Sequence, residues 1–265
     1  MRTIIFTDLD GTLLNHDDYR FDDAIPALNR IKRLGIPLII VSSKTAAEIA
    51  RLQDKLDLHD PFISENGAAI YLPPDSRLAD GLSTEAHPSG FRTLRLGARY
   101  EDIRRFCREN RDLGIRGFGD METEEVAALT GLGPEDAAMA KAREFTEPFI
   151  LENETHLERL SRLALESGFS LTRGGRFYHL KKAHSDKGVA VRTLIGLYAG
   201  SADGPLRSIA LGDSENDREM LREVDIPLVV RKPDGSCLEG FVHCSDAPGS
   251  AGWNQLITEV LHDDA

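Results

Sequence analysis

Asp8 and Asp10 stand in the run Asp8-Leu9-Asp10-Gly11-Thr12, directly after the apolar stretch of residues 3–7. On an extended chain residues i and i+2 project to one side, so both carboxylates face the same way beside a glycine turn. Such a pair equips one carboxylate as a nucleophile and the other as an acid/base or a metal partner. Aspartate and glycine are also ordinary turn residues, and the pair alone is compatible with nothing more. A second acidic cluster, Gly212-Asp213-Ser214-Glu215-Asn216-Asp217, lies near the other end of the chain at another strand-to-helix junction. There Ser214 suits a helix N-cap, and Asp217 suits a first turn, where the helix dipole favours acids. Two such clusters at the carboxyl ends of strands in one parallel sheet converge on a single crevice, where they would raise each other's pKa values. A hard divalent cation relieves that repulsion, and an oxygen-only donor set suits Mg2+. The sequence has no HExxH, CxxC pair or EF-hand loop to support zinc or calcium.

The elements that must position these residues follow from the apolar pattern. Residues 3–7 read as a strand, and residues 24–34 as a helix with Ile25, Leu28 and Ile31 on one face and Gly35 as its stop. Residues 37–41 form a continuous apolar run of the buried parallel-strand type. Thr45 and Glu48 have capping-box spacing, which predicts a helix to about residue 56. Residues 62–64 and 68–72 read as further strands. The alternation predicts the α/β class: a Rossmann-like doubly wound parallel sheet whose ligands bind beyond the carboxyl ends of its strands. Residues 73–90, rich in Pro, Gly, Ser and Asp, read as a linker. The texture then changes, with a charged helix at 100–110, turns at 131–134, a strand at 148–151, a helix at 157–166 and a hairpin of 169–173 with 176–180. The α/β rhythm resumes with a helix at 188–198, a strand at 208–211, a helix at 214–223, a strand at 227–230 and a last helix near 253–261. We therefore expect a core of residues 1–84 and 179–265 with an inserted α+β cap at 85–178.

Composition narrows the function classes. The 265 residues, 41% hydrophobic and 29% charged, suffice for one large domain or two small ones and exclude disorder for most of the chain. With 32 basic and 44 acidic residues the net charge is -12, which offers no overall attraction to nucleic acid or an anionic membrane. No apolar stretch approaches about 18 residues, and the N-terminal apolar run stops at Asp8, so neither a membrane span nor a signal peptide is expected. Cys107, Cys237 and Cys244 are too few for a disulfide framework and point to a reducing cytoplasm.

Asp8-Leu9-Asp10-Gly11-Thr12 followed far along the chain by Gly212-Asp213-Ser214-Glu215-Asn216-Asp217 resembles the haloacid dehalogenase superfamily of aspartate-nucleophile phosphotransferases. That superfamily also has a Ser/Thr ending its second core strand and a Lys before its last core elements. Ser42, in Val41-Ser42-Ser43-Lys44-Thr45, and Lys187, in Ser185-Asp186-Lys187-Gly188, match in order. Lys181 and Lys182 rival Lys187, but only Lys187 opens a helix before a glycine. The place of the insertion and Glu65-Asn66-Gly67-Ala68 resemble the α/β-capped branch that acts on sugar phosphates. Residues 43–45, 117–121, 125–132, 143–149 and 174–179 are similar to the mannosyl-3-phosphoglycerate phosphatase family.

The resemblance implies Asp8 as nucleophile, Asp10 as acid/base, and Ser42 and Lys187 as phosphate ligands. It implies Mg2+ held by Asp8, the Asp10 carbonyl and Asp213, with Asn216 and Asp217 orienting that shell. Thr12, Ser43, Lys44, Glu65, Asn66, Arg173, Arg176 and His179 are the expected substrate contacts, with Lys44, Arg173 and Arg176 facing a carboxylate beside the phosphate. The implied activity is Mg-dependent hydrolysis of a glycosyl-3-phosphoglycerate, a small phosphorylated sugar-glycerate, by a cytoplasmic monomer or homodimer with no nucleic-acid or membrane partner. Phosphatases of glucosyl-3-phosphoglycerate or sucrose-phosphate type, and a phosphosugar mutase, stay open as alternatives. A dehalogenase would not need Asp10, and a non-catalytic binding module should have lost a motif residue. Cys107 and Arg104, Arg105 and Arg108 read as packing or surface groups.

Overall fold

The computed structural model describes residues 1–174, 177–201 and 203–262. The chain opens with β1 (Arg2–Thr7), α1 (Ile25–Leu34), β2 (Leu38–Val41), α2 (Ala46–Leu56), β3 (Phe62–Ser64) and β4 (Ala69–Leu72). Gly35 ends α1 in the left-handed conformation, and Thr45 and Glu48 form the capping box that starts α2, as their spacing predicts. Then come β5 (Glu85–Ala86), β6 (Arg92–Arg95), α3 (Tyr100–Glu109), β7 (Ile115–Gly117), α4 (Thr123–Thr130), α5 (Pro134–Lys141), β8 (Thr146–Leu151), α6 (Leu157–Glu166), β9 (Phe169–Gly174) and β10 (Phe177–Lys182). The chain closes with α7 (Lys187–Gly200), β11 (Leu206–Gly212), α8 (Arg218–Arg222), β12 (Ile226–Arg231), β13 (Cys244–Pro248) and α9 (Gly249–Val260).

Among the described residues the large sheet has the order β13-β12-β11-β1-β2-β3-β4-β6-β5, parallel from β13 to β3 and antiparallel beyond. Alternate strand residues enter two separate cores, as a sheet covered on both faces requires. Ile5, Ile40 and Leu211 pack with Leu28, Ile49 and Trp253, whereas Phe6, Ile39 and Ala210 pack with Val191, Leu194 and Met220. β1 lies between β2 and β11, so successive connections leave it in opposite directions and open a crevice at its carboxyl end. A second, antiparallel sheet, β7-β8-β10-β9, forms the cap. One of its faces packs on α3 and α6 through Ile103, Phe106, Leu160 and Ala164; the other meets Phe118, Val126 and Ala137.

The sheets divide the chain at other places than residues 84/85 and 178/179. β5 and β6, partly inside the expected linker, complete the open edge of β4, and β10 stays in the cap sheet to Lys182. An unpaired β4 edge would leave backbone groups without partners, which β6 supplies. The cysteine expectation is corrected: Cys237 and Cys244 form a disulfide, and only Cys107 is free and buried. The loop between β12 and β13 returns Cys237 to within 6.4 Å (Cα–Cα) of Cys244, a proximity invisible in sparse spacing. Among the described residues no helix is long and apolar enough to cross a membrane.

Candidate active site

The carboxyl ends of β1 and β11 deliver Asp8 and Asp213 to the crevice, and the turn after β11 adds Asp217. All three are buried, with carboxylate oxygens within 4.8 Å of one another. Lys187, the first residue of α7 and almost wholly buried, donates from Nζ to Asp8 Oδ1 at 2.6 Å and to Asp217 Oδ1 at 2.7 Å. The other Asp217 oxygen accepts the backbone N–H groups of Asp213 and Ser214, so both Asp217 oxygens are engaged within the protein. Thr12 donates to Asp213 Oδ1 at 3.0 Å. Gly11, at φ +84, carries the chain through a left-handed turn where a Cβ would lie 3.0 Å from Asp213 Oδ2.

Three carboxylates share one ammonium here. Burial first, then the Asp217 charge, pushes Asp8 well above the usual carboxylate range, and the same two causes raise Asp213 to about 6. Burial works against the Lys187 charge, but Asp217 and Asp8 outweigh it and keep it protonated. The excess negative charge and the oxygen donors fit a hard divalent cation. Within the trio, Asp8 and Asp213 each have an oxygen with no hydrogen bond to another described residue, which leaves them open to such a cation.

Asp10 is tied to Lys44 at 2.9 Å through Oδ2, while its Oδ1 is buried without a hydrogen-bond partner. Lys44 also lies over the Tyr19 ring at 5.3 Å, so its charge is directed at Asp10 rather than held out for a second anion. Ser42, buried at the end of β2, accepts from the Lys44 backbone N–H. Ser43, Asn66 and Lys187 line a cleft of about 310 Å³ whose cap wall carries Thr172, His179 and Lys181. Asn216 borders it from the core side, and the Asn66 Oδ1 is buried and unpartnered.

Two expected contacts go elsewhere. Glu65 accepts from the backbone N–H groups of Glu144 and Phe145 and from Thr146 Oγ1, so its carboxylate ties the segment that enters β8 to the core. Arg173 borders the cleft, but its guanidinium lies over the Tyr178 ring at 5.2 Å and 3.4 Å from Tyr178 Oη. β9 and β10 pair Arg173 with Tyr178, which is buried with α3 and α6, so Arg173 belongs to the face turned from the core. Arg176 lies outside the described residues. The cap stretch 117–121 is internal scaffolding: Asp120 is bonded to Arg104 and the Gly117 N–H, and Glu147 accepts the Gly119 N–H. Arg104 is therefore no solvated decoration.

Sequence reasoning missed one group and set another aside as only a rival to Lys187. Arg143 crosses from cap to core and donates to the Ser43 carbonyl at 2.8 Å. Lys181 faces the cleft, and the alternation of Tyr178 and Leu180 into the cap core was the signal that could have found it.

A haloacid dehalogenase-like hydrolase family model matches residues 5–94. A glucosyl-3-phosphoglycerate/mannosyl-3-phosphoglycerate phosphatase of Persephonella marina is 44% identical, covering 98% of this chain and 97% of that protein. One of the same name from Methanococcoides burtonii is 41% identical over 98% of each. A haloalkanoate-superfamily phosphatase structure from Bacteroides thetaiotaomicron superposes with a TM-score of 0.67 at 19% identity, covering 99% of this chain and 95% of that one, a likeness of fold. With full-length identity to such relatives and the paired aspartates in place, this chain belongs to the haloacid dehalogenase-like hydrolases and is a phosphoric monoester hydrolase of the relatives' phosphatase family.

Proposed function

We propose that the protein hydrolyses the phosphate of a glycosyl-3-phosphoglycerate, mannosyl or glucosyl, at the crevice of Asp8, Asp10, Asp213 and Lys187. The observation that carries the reading is the buried nest in which Lys187 bridges Asp8 and Asp217, in a chain so close to two phosphatases named for both sugars. Asp8 attacks phosphorus, forming an oxygen–phosphorus bond as the ester bond to the glycerate oxygen breaks. Asp10, whose Oδ1 is unclaimed, gives the leaving oxygen its proton. Water then attacks the aspartyl phosphate, Asp10 takes its proton, and inorganic phosphate leaves with Asp8 restored. Ser42 and Lys187 hold phosphoryl oxygens, and Lys187 offsets charge that builds there. Mg2+, held by Asp8, Asp213 and the Asp10 carbonyl, supplies charge neutralisation at the phosphoryl group when bound. Asp217 fixes Lys187 and the Asp213 backbone, and Asn216 borders this shell. We place the enzyme in the cytoplasm, where phosphorylated sugars of this kind are its small-molecule partners.

The test is phosphate release from mannosyl- and glucosyl-3-phosphoglycerate, sucrose phosphate and simple sugar phosphates, with and without Mg2+. The expected result is a Mg-dependent preference for the glycosyl-3-phosphoglycerates. Preference for sucrose phosphate, or phosphate migration without release, would replace the reading with one of its alternatives.

A further inference from the structure

Resting on that reading, we infer that Lys181 is the cap's anchor for the substrate carboxylate, the role the sequence suggested for Arg173 and Arg176. Strand parity decides which cap side chains face the cleft. In an antiparallel pair, directly opposed residues share a face. β10 opposes β9 as Tyr178 to Arg173, His179 to Thr172, Leu180 to Leu171 and Lys181 to Ser170. Tyr178, Leu180 and Leu171 pack with α3 and α6, which assigns Arg173 to that covered side. His179 and Lys181 take the other side. β8 agrees: Thr146, opposite Lys181, turns its hydroxyl to Glu65 of the core.

The second observation is what surrounds the amine. Among the described residues Lys181 has no carboxylate within ion-pairing distance; its Nζ donates to the Ser185 carbonyl at 2.5 Å, in the turn that leads to Lys187. The neighbouring Asp186 uses Oδ1 to cap α7, accepting from the Val189 N–H. Lys181 is substantially withdrawn from water, and that burial lowers its pKa, the nearby Asp186 charge offsetting it only in part. Arg104, Arg105 and Arg116 of the cap have carboxylates, and Lys182, which like Lys181 has a carbonyl partner, is exposed and does not line the cleft. A half-buried cation held beside the catalytic lysine's turn, with no carboxylate in direct contact among the described residues although Asp186, Glu215 and Glu219 also line the cleft, is placed to receive an anionic substrate group. In a 3-phosphoglycerate ester the carboxylate occupies the other end of the three-carbon unit that bears the phosphate, so an anion enters beside the phosphoryl group. His179 and Thr172, on the same face, are polar neighbours for that group or for the sugar.

The experiment compares mannosyl-3-phosphoglycerate with mannosylglycerol 3-phosphate, in which a hydroxymethyl group replaces the carboxylate, for the wild type, Lys181→Met and Lys181→Arg. The wild type should prefer the carboxylate substrate. Lys181→Met should shrink that preference by about 10- to 100-fold, the value of a charge-assisted hydrogen bond, through KM on the carboxylate substrate alone. Lys181→Arg should recover part of it. A preference that survives in Lys181→Met, or equal losses on both substrates, overturns the assignment and leaves the proposed function standing. A wild type that ignores the carboxylate overturns the proposed function and this assignment with it.

Discussion

In the buried nest that Lys187 joins to the cleft, which we call its floor, polar groups are committed to one another; on the wall above, they are held in reserve. Lys187 divides its protons between Asp8 and Asp217, Asp217 accepts two backbone N–H groups, and Thr12 fixes Asp213. Across the cleft, among the described residues, Lys181 is hydrogen-bonded to a carbonyl and has no carboxylate in direct contact, and His179 is kept neutral, pulled down to about 3 by burial first and then by Arg143 and Lys181. The difference follows from what each surface must recognise. Every phosphate monoester has the same reacting atoms, so the floor is preorganised and self-consistent. The rest of the substrate varies among relatives, and the wall presents groups whose partners arrive with the ligand.

Breaking the floor should cost most. Asp8→Asn keeps the shape but removes the nucleophile, and kcat should fall by about 10⁴-fold, with folding preserved by circular dichroism. Phosphate release above about 1% of wild type would show that Asp8 does not form the intermediate. Next in size, Asp213→Asn should raise the Mg2+ concentration for half-maximal activity by about 10- to 100-fold, with activity partly restored at high Mg2+. Direct calorimetric titration of Mg2+ should show the same shift. Unchanged Mg2+ dependence would dissociate Asp213 from the cation.

The floor was legible because contiguous motifs carry it. Asp8, Asp10 and Thr12 leave one strand, Asp213 to Asp217 leave another, and parallel pairing of β1 with β11 brings them together wherever the fold forms. Ser42 and Lys187 were found by order along the chain, since nothing about a strand-end serine or a helix-start lysine is distinctive. The wall was less legible because its function lies in parity. Arginines near a Gly-Gly turn look available until pairing assigns Arg173 to Tyr178. The junction role of Glu65 was hidden for a related reason. Glu65, Asn66 and Gly67 all have positive φ, and a Cβ at Gly67 would meet the Asp186 carbonyl at 2.0 Å, so this segment is a junction against which the cap and the Lys187 turn are built. Composition carries no trace of such a contact, nor of the loop that joins Cys237 to Cys244.

The junction between the two surfaces supplies effects of middle size. Glu65→Gln replaces an acceptor-only group with an amide whose N–H2 cannot accept, beside two backbone donors and a hydroxyl. It should destabilise the protein by about 1–3 kcal/mol in urea unfolding, more than it alters kcat on the retained folded enzyme. A neutral result would show that the cap is docked by other contacts, such as Arg143 to the Ser43 carbonyl. His179 should make itself felt through acid sensitivity. Its folded pKa lies below its ordinary 6.5, so below about pH 6.5 the unfolded chain binds a proton that the folded chain refuses. Stability should therefore fall as pH drops from 6.5 toward 3, by no more than about 1.4 kcal/mol per pH unit from this one group. His179→Gln should flatten that part of the profile, and an unaltered profile would mean that His179 charges freely in the folded state.

The smallest expected effect is the one that tests parity itself. Arg173 has the charge, the flexibility and the position at the cleft's border that a carboxylate ligand needs, and only pairing argues against it. Its guanidinium rests over Tyr178, whose Oη donates to Glu154 at 2.6 Å, so moving it into the cleft would forfeit the ring contact on the covered face. An exposed cation–π contact is worth about 0.5–1 kcal/mol, enough to bias the side chain outward and too little for its loss to disturb the fold. Arg173→Ala should therefore change KM for mannosyl-3-phosphoglycerate by less than about threefold, a shift within that same energy. A tenfold rise, absent for an aryl phosphate that lacks the carboxylate, would mean that the guanidinium leaves Tyr178 when substrate arrives. The wall would then recruit charge from both faces of its sheet, and Lys181 would share the task we infer for it.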